Sequence, residues 1–145
     1  MCWWFDSILR HYYIMKSHII FFLLKLKNAS LYKKEVVIID FKQDYIPILQ
    51  LLYKEGYIQT FLINKDLSKN KSIITIYIRY VYNTFALSNL KLLSKQSCVK
   101  TITYKQLSYN IYDIRKTFFI ITNKGLQTQT TCKLNQLGGR LLFMC

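Results

Sequence analysis

Residues 121–140, ITNKGLQTQTTCKLNQLGGR, hold three of the four glycines in a chain of 145 residues: Gly125, Gly138 and Gly139. They stand among short hydroxyl and amide side chains and cations. Thr122-Asn123-Lys124-Gly125 follows the apolar run FFII at 118–121. Thr and Asn supply short donors and acceptors, Lys124 supplies a cation for phosphate, and Gly125 can take φ > 0 and leave backbone N–H groups bare. Such a turn suits a sugar–phosphate backbone or a base edge, and its groups match the RNA 2′-hydroxyl, which both donates and accepts. The same residues also suit an ordinary hairpin turn. Gly138-Gly139 reads either as a tight turn or as a point where another backbone comes very close.

Other chemistry finds little support. There are no paired carboxylates, no phosphate loop of the Gly-Lys-Ser kind and no nucleophile with a base beside it. Cys2, Cys98, Cys132 and Cys145 are scattered, no Cys-x-x-Cys pair exists, and His11 and His18 lie far from Cys98 and Cys132 in sequence. That pattern argues against zinc and against a disulfide framework. No enzymatic activity, metal or cofactor is expected, and the thiols are expected to be buried or incidental.

Composition narrows the partner. Lys and Arg total 21 against 7 Asp and Glu, a formal charge of +14. So strong a field on one small globule points to a polyanion, nucleic acid first and an anionic membrane surface second. The longest apolar run near the start, IIFFLL at 19–24, is far shorter than the ~20 residues a membrane span needs. Ile, Lys, Asn, Tyr and Phe are abundant while Ala is rare, as AT-rich coding produces, which suggests an organelle or endosymbiont gene.

These residues need elements to position them. IIFFLLKLKN at 19–28 predicts a helix ending in Lys25, Lys27 and Asn28, whose cations suit its C-terminal dipole or merely face solvent. EVVIIDF at 35–41 predicts a strand. Apolar positions 45, 48, 49, 51 and 52 predict a helix over 44–55, with Asp44 as N-cap, Pro47 in the first turn and Gly56 as the left-handed C-terminal cap. Strands are expected at 57–64 and 73–82, joined by a basic turn at 67–72. A linker at 82–88 then leads to strands at 90–95, 99–102, 118–121 and 141–145, with a short helix at 105–116. The fold class is α+β. An N-terminal αβαββ half over 19–82 precedes a smaller, mainly β half with a short helix over 83–145, and residues 1–18 form an extension.

The run from Ile121 to Arg140 resembles the C-terminal signature of the small-subunit ribosomal protein eight family. That family carries Ser-Thr-Ser-Lys-Gly, a Thr three residues on, then an apolar residue and Gly-Gly-Glu. Here Ile121, Thr122, Asn123, Lys124 and Gly125 are followed at the same spacing by Thr128 and Leu137-Gly138-Gly139-Arg140. LLKLKN at 23–28, LYKEGYI at 52–58 and IYIRYV at 76–81 resemble the family's earlier blocks in order. The resemblance covers residue 19 to the end. It departs at Ile121 and Asn123, where the family has Ser, and at Arg140, where it has Glu. Gln96-Ser97 stands for a Pro-Gly turn, Thr101 stands for an aromatic residue, and one residue is inserted between 98 and 121.

The resemblance implies a structural protein that binds small-subunit rRNA in its central domain, beside neighbouring ribosomal proteins. It implies RNA contacts from Thr122, Asn123, Lys124, Gly125, Thr128, Gly138, Gly139 and Arg140, with Lys25, Lys27 and Asn28 adding phosphate contacts. Arg140 cannot accept from a base amino group as Glu can, but it can bind phosphate or stack on a base. With the AT-leaning composition, a mitochondrial ribosome is the expected location. The competing expectation is a membrane-associated basic organelle protein.

Overall fold

A computed structural model of the chain describes residues 3–66, 71–82, 84–94, 98–109 and 116–145, with side chains from residue 17 onward. Helix α1, Trp3–Leu31, runs without a break across position 18, so most of the expected extension belongs to the same helix as 19–28. Its inner stripe is Ile19, Phe22, Leu23, Leu26 and Ala29, all buried, the three-and-four spacing of a helix laid on a core. The helix closes on Lys33 at φ 53. The Lys34 amide bonds Ala29 O at 3.0 Å and the Lys33 amide bonds Ser30 O at 3.1 Å, the paired bonds of a Schellman ending.

Strand β1, Val36–Asp40, alternates with Val37 and Ile39 inward. Helix α2, Ile46–Lys54, follows a 3₁₀ turn over Gln43–Tyr45. Asp44 therefore lies inside that turn and does not cap α2, which corrects the expected N-cap: Tyr45 occupies that position and no side chain caps it. Packing decides the entry. Tyr45 is buried and its ring stacks on Phe22 with centroids 4.4 Å apart. Pro47 falls in the first turn as expected, and Gly56 (φ 78) ends the helix as expected.

Strands β2, Ile58–Asp66, and β3, Lys71–Ile78, complete an antiparallel sheet of order β1-β3-β2. The first half is αβαββ, as expected. The strand expected over 73–82 stops at Ile78, whose amide makes its last rung to Glu35 O at 2.9 Å. The chain then forms a small hairpin, β4 (Tyr80–Val81) with β5 (Thr84–Phe85), which spans the end of the expected strand and the start of the expected linker. Residues 67–70 of the expected basic turn lie outside the described residues, and 71–72 open β3.

The second half is one antiparallel sheet built around β10, Gly139–Met144. β10 pairs with β6 (Lys91–Leu92), β7 (Thr101–Ile102) and β8 (Phe118–Thr122), and β8 also pairs with β9 (Gly125–Thr128). Helix α3 spans Tyr104–Tyr109; residues 110–115 of the helix expected there lie outside the described residues. Helix α4, Gln129–Leu134, is not anticipated from the sequence pattern. The main core runs through both halves, from Leu23, Leu49 and Ile76 to Phe119, Leu142 and Phe143. Phe119 and Phe143, paired across β8 and β10, stack at 4.3 Å. A second cluster (Ile102, Leu107, Ile120, Cys132, Leu141) seats α3 and α4 on the C-terminal sheet.

Candidate nucleic-acid interface

Thr122 and Gly125 are paired residues closing the β8–β9 hairpin, with Asn123 and Lys124 at its tip. Thr122 is buried. Its hydroxyl donates to Gly125 O at 2.9 Å and accepts the Lys124 amide at 3.2 Å. That hydroxyl is therefore committed within the chain, where it locks the turn and holds Asn123 and Lys124 out in solvent. Gly125 sits at φ 103, and a Cβ added there would meet nothing within 4 Å. Glycine is needed there for backbone conformation, and the space beside it is open to a ligand.

Thr128, expected among the RNA contacts, has its hydroxyl engaged within the chain. It is buried at the N-cap of α4. Its hydroxyl lies 2.9 Å from those of Thr130 and Thr131, and its amide donates to Thr131 Oγ1 at 3.1 Å. Thr131 plays the part that Glu or Gln has in a capping box. The Thr-x-x-Thr spacing over 128–131 is the sequence signal for α4.

Gly138 and Gly139 are close-approach glycines, and what approaches is the chain itself. A Cβ on Gly138 would stand 2.8 Å from Ile102 O, and one on Gly139 would press on Ile121 O and lie 2.9 Å from Ile120 Cγ2. Their bareness lets β10 slip between β7 and β8, so a collision with RNA is not needed to explain them. Beside them opens a groove of about 580 Å³ walled by Thr101, Thr103, Tyr104, Ile121, Thr122 and Arg140 with both glycines. Arg140 is half-buried and pairs with Thr101 on one side and Ile121 on the other.

Thr103 and Tyr104 are wall residues absent from the sequence expectation. Thr103 and Gln106 cap α3 reciprocally: the Thr103 amide donates to Gln106 Oε1 at 3.1 Å and the Gln106 amide to Thr103 Oγ1 at 3.4 Å. The Thr-x-x-Gln spacing is a readable capping box.

Lys25, Lys27 and Asn28 are on α1 and do not line this groove. Lys25 is exposed but ties α1 to the β1 edge, its Nζ donating to Ile38 O at 3.2 Å. Lys27 is half-buried and Asn28 exposed. Cys132 is buried, and desolvation pushes its thiol up, which keeps it protonated and unsuited to nucleophilic attack. Among the described residues, no three His, Cys, Asp or Glu side chains gather to hold a metal, and no helix is long and apolar enough to cross a membrane.

The α+β scaffold thus carries a groove walled by Arg140, the Tyr104 ring and threonine side chains. Residues 18–145 match the family described as ribosomal protein S8, and the chain belongs to that family. Among similar curated proteins, the small ribosomal subunit protein uS8 of Persephonella marina is 32% identical over 127 residues, covering 83% of this chain and 90% of the relative. That of Mesomycoplasma hyopneumoniae is 29% identical over 125 residues, covering 83% and 88%. The small ribosomal subunit protein uS8c of Bigelowiella natans is 30% identical over 122 residues, covering 82% and 90%.

Proposed function

We propose that this chain is a structural constituent of the small ribosomal subunit that binds small-subunit rRNA in its central domain, through its half over 83–145. The observation that carries the reading is the groove at Gly138-Gly139. Two bare backbone positions lie there beside Arg140, with Tyr104 and three threonines on the wall, of which Thr122 has its hydroxyl committed to its own turn. Exposed Asn123 and Lys124 project from the hairpin whose Thr122 shares that wall. This arrangement gives a phosphate a cation, a ribose hydroxyl its partners and an unpaired base a ring, with little side-chain bulk in the way.

The work is to hold an rRNA junction in one shape, with neighbouring small-subunit proteins around it and no turnover. Lys25, Lys27 and Asn28 add backbone contacts from α1, and Lys25 keeps its tie to β1 while doing so. The AT-leaning composition favours an organellar gene, and a mitochondrial ribosome is the location we assign.

The test is titration of the full chain with a central-domain rRNA fragment across a salt series. Tight binding that weakens steeply as salt rises is expected, because released counterions drive it. Failure to bind that fragment, together with flotation on anionic liposomes, would overturn the reading in favour of a membrane-surface protein.

A further inference from the structure

A second cleft opens on the other half of the molecule, at the end of the first sheet. Its volume is about 810 Å³, within the range of ligand clefts, about 300–1,000 Å³. Tyr53 and Lys54 from the end of α2, Gln59 from β2, Tyr77 from the end of β3 and Arg79 just past it form its walls. Gln59 is the extra residue of a β-bulge between Ile58 and Thr60, a device that re-aims a side chain out of the ladder, and it is exposed.

Tyr53 is 56% exposed. Lys54 and Arg79 are exposed too, and neither is neutralised by an ion pair among the described residues. Arg79 reaches Gly56 O at 3.5 Å through Nη1, which fixes the guanidinium at the rim. The Tyr80 hydroxyl is buried in the wall and finds no hydrogen-bond partner among the described residues. Desolvation, and then the Glu35 carboxylate on the same wall, push that phenol up, so it stays a donor.

Cations alone would mark a solvated rim. Here they stand beside Tyr53 and Tyr77, an amide, a carboxylate and the unused phenol donor of Tyr80. A phosphate needs the cations; the rings and the acceptor groups suit a base face and a base edge, which a duplex would keep hidden. Stacking on aromatic rings with cations along the backbone is how single strands are held. We infer that this cleft takes an unpaired nucleotide of RNA, its base against Tyr53 or Tyr77 and its phosphate at Lys54 and Arg79. The inference rests on the rRNA-binding reading and adds a contact on the half of the chain over 19–82.

The experiment uses the full chain with the central-domain rRNA fragment and, in parallel, a fully duplexed RNA of equal length. Tyr53→Ala should weaken fragment binding roughly 5- to 100-fold and leave duplex binding nearly unchanged. Lys54→Ala with Arg79→Gln should lower the slope of log K against log salt by about 1.5. Ultraviolet crosslinking of the wild type should map an unpaired nucleotide to Tyr53 or Tyr77. All three positions are at the surface, and circular dichroism verifies the fold of each variant.

If these variants bind the fragment like wild type while Arg140→Ala still loses affinity, the second cleft is overturned and the first groove stands. Equal losses on fragment and duplex would show phosphate contact without base stacking and overturn it as well. Variants that bind RNA normally but fail to join small subunits would place a protein there instead. A wild-type chain that binds no RNA removes both sites together.

Discussion

The Tyr57 hydroxyl donates a 2.9 Å hydrogen bond to the Thr117 hydroxyl, 60 residues away. It joins the start of the first sheet's β2 to the approach of β8 in the second. The same ring meets Phe119 edge-on at 6.1 Å. Burial is the main influence on the Tyr57 phenol and pushes it up; the Thr117 bond pulls the other way. This pair and the shared core are what make two small sheets one body.

Tyr57→Phe should therefore cost about 1 kcal/mol of unfolding free energy, the net worth of a hydrogen bond. Thr117→Val should cost a similar amount, and the double variant should lose less than the sum. Denaturant melts of the four proteins provide the check; strict additivity would mean the bond contributes nothing.

The two kinds of glycine in the C-terminal half should separate cleanly. Gly139→Ala drives a methyl onto the Ile121 carbonyl, so a loss of at least about 1–3 kcal/mol is expected from overpacking. Gly125→Ala meets no atom but must hold φ 103, at a cost of about 1–2 kcal/mol. Only the second should leave a folded protein whose RNA affinity can be compared with wild type. If Gly125→Val folds and binds unchanged, the space beside that turn is not used by RNA.

Gln136 ends α4 at φ 53, and Lys33 ends α1 at the same angle. Around Gln136 the bonds to Lys133 O and Cys132 O repeat the α1 ending. Glycine holds that geometry without the Cβ penalty, so Gln136→Gly should raise stability by about 0.5–1 kcal/mol. Thermal melts would show it, and a lower melting point would mean the Gln136 side chain contributes more than its strain.

Lys124 and Arg140 test the groove. Each should carry one phosphate contact, so Lys124→Ala or Arg140→Ala should lower the salt slope by about 0.7–0.9. Arg140→Glu, which restores the residue expected from the family pattern, should weaken binding to unrelated RNA more than binding to the central-domain fragment. Equal losses on both RNAs would show that no base edge is read at position 140.

Alkaline stability follows from the buried acids. Burial pushes the Cys145 thiol up to about 12, and Cys132 and Tyr45 move the same way. The folded chain then holds protons that the unfolded chain releases. The stabilising difference is complete below about pH 8.5, the ordinary thiol value. For Cys145 it declines as pH rises toward 12, by about 1.4 kcal/mol per pH unit, and Cys132 and Tyr45 act in the same direction. Melting temperatures taken from pH 7 to 11 should fall, and Cys145→Ala should flatten the curve.

The first half is readable because local pattern and tertiary structure agree there. Alternating Val37 and Ile39, the stripe through Leu49 and Leu52, and Gly56 each carry their signal within a few residues. Asp44 misleads because capping propensity is local while the Tyr45–Phe22 stack is not. In the C-terminal half the strands are two to six residues long, too short for periodicity to speak. Helix α4 hides behind polar threonines whose hydroxyls turn inward. Thr122, Thr128, Gly138 and Gly139 stand out in the sequence as special. Nothing local reveals that two of those hydroxyls and both close approaches are spent inside the chain, while Asn123 and Lys124 stay exposed and Arg140 half-buried.

The central place of β10 sets an order of events during synthesis. Among the described residues, strands β6 and β7 pair only with β10, and β8 pairs only with β10 and β9. As the chain leaves the ribosome that makes it, the first sheet can close early, while the later strands wait for residues 139–144. Until then the grooved half is an unclasped hand, and RNA that arrives before its last strand would meet a surface not yet made.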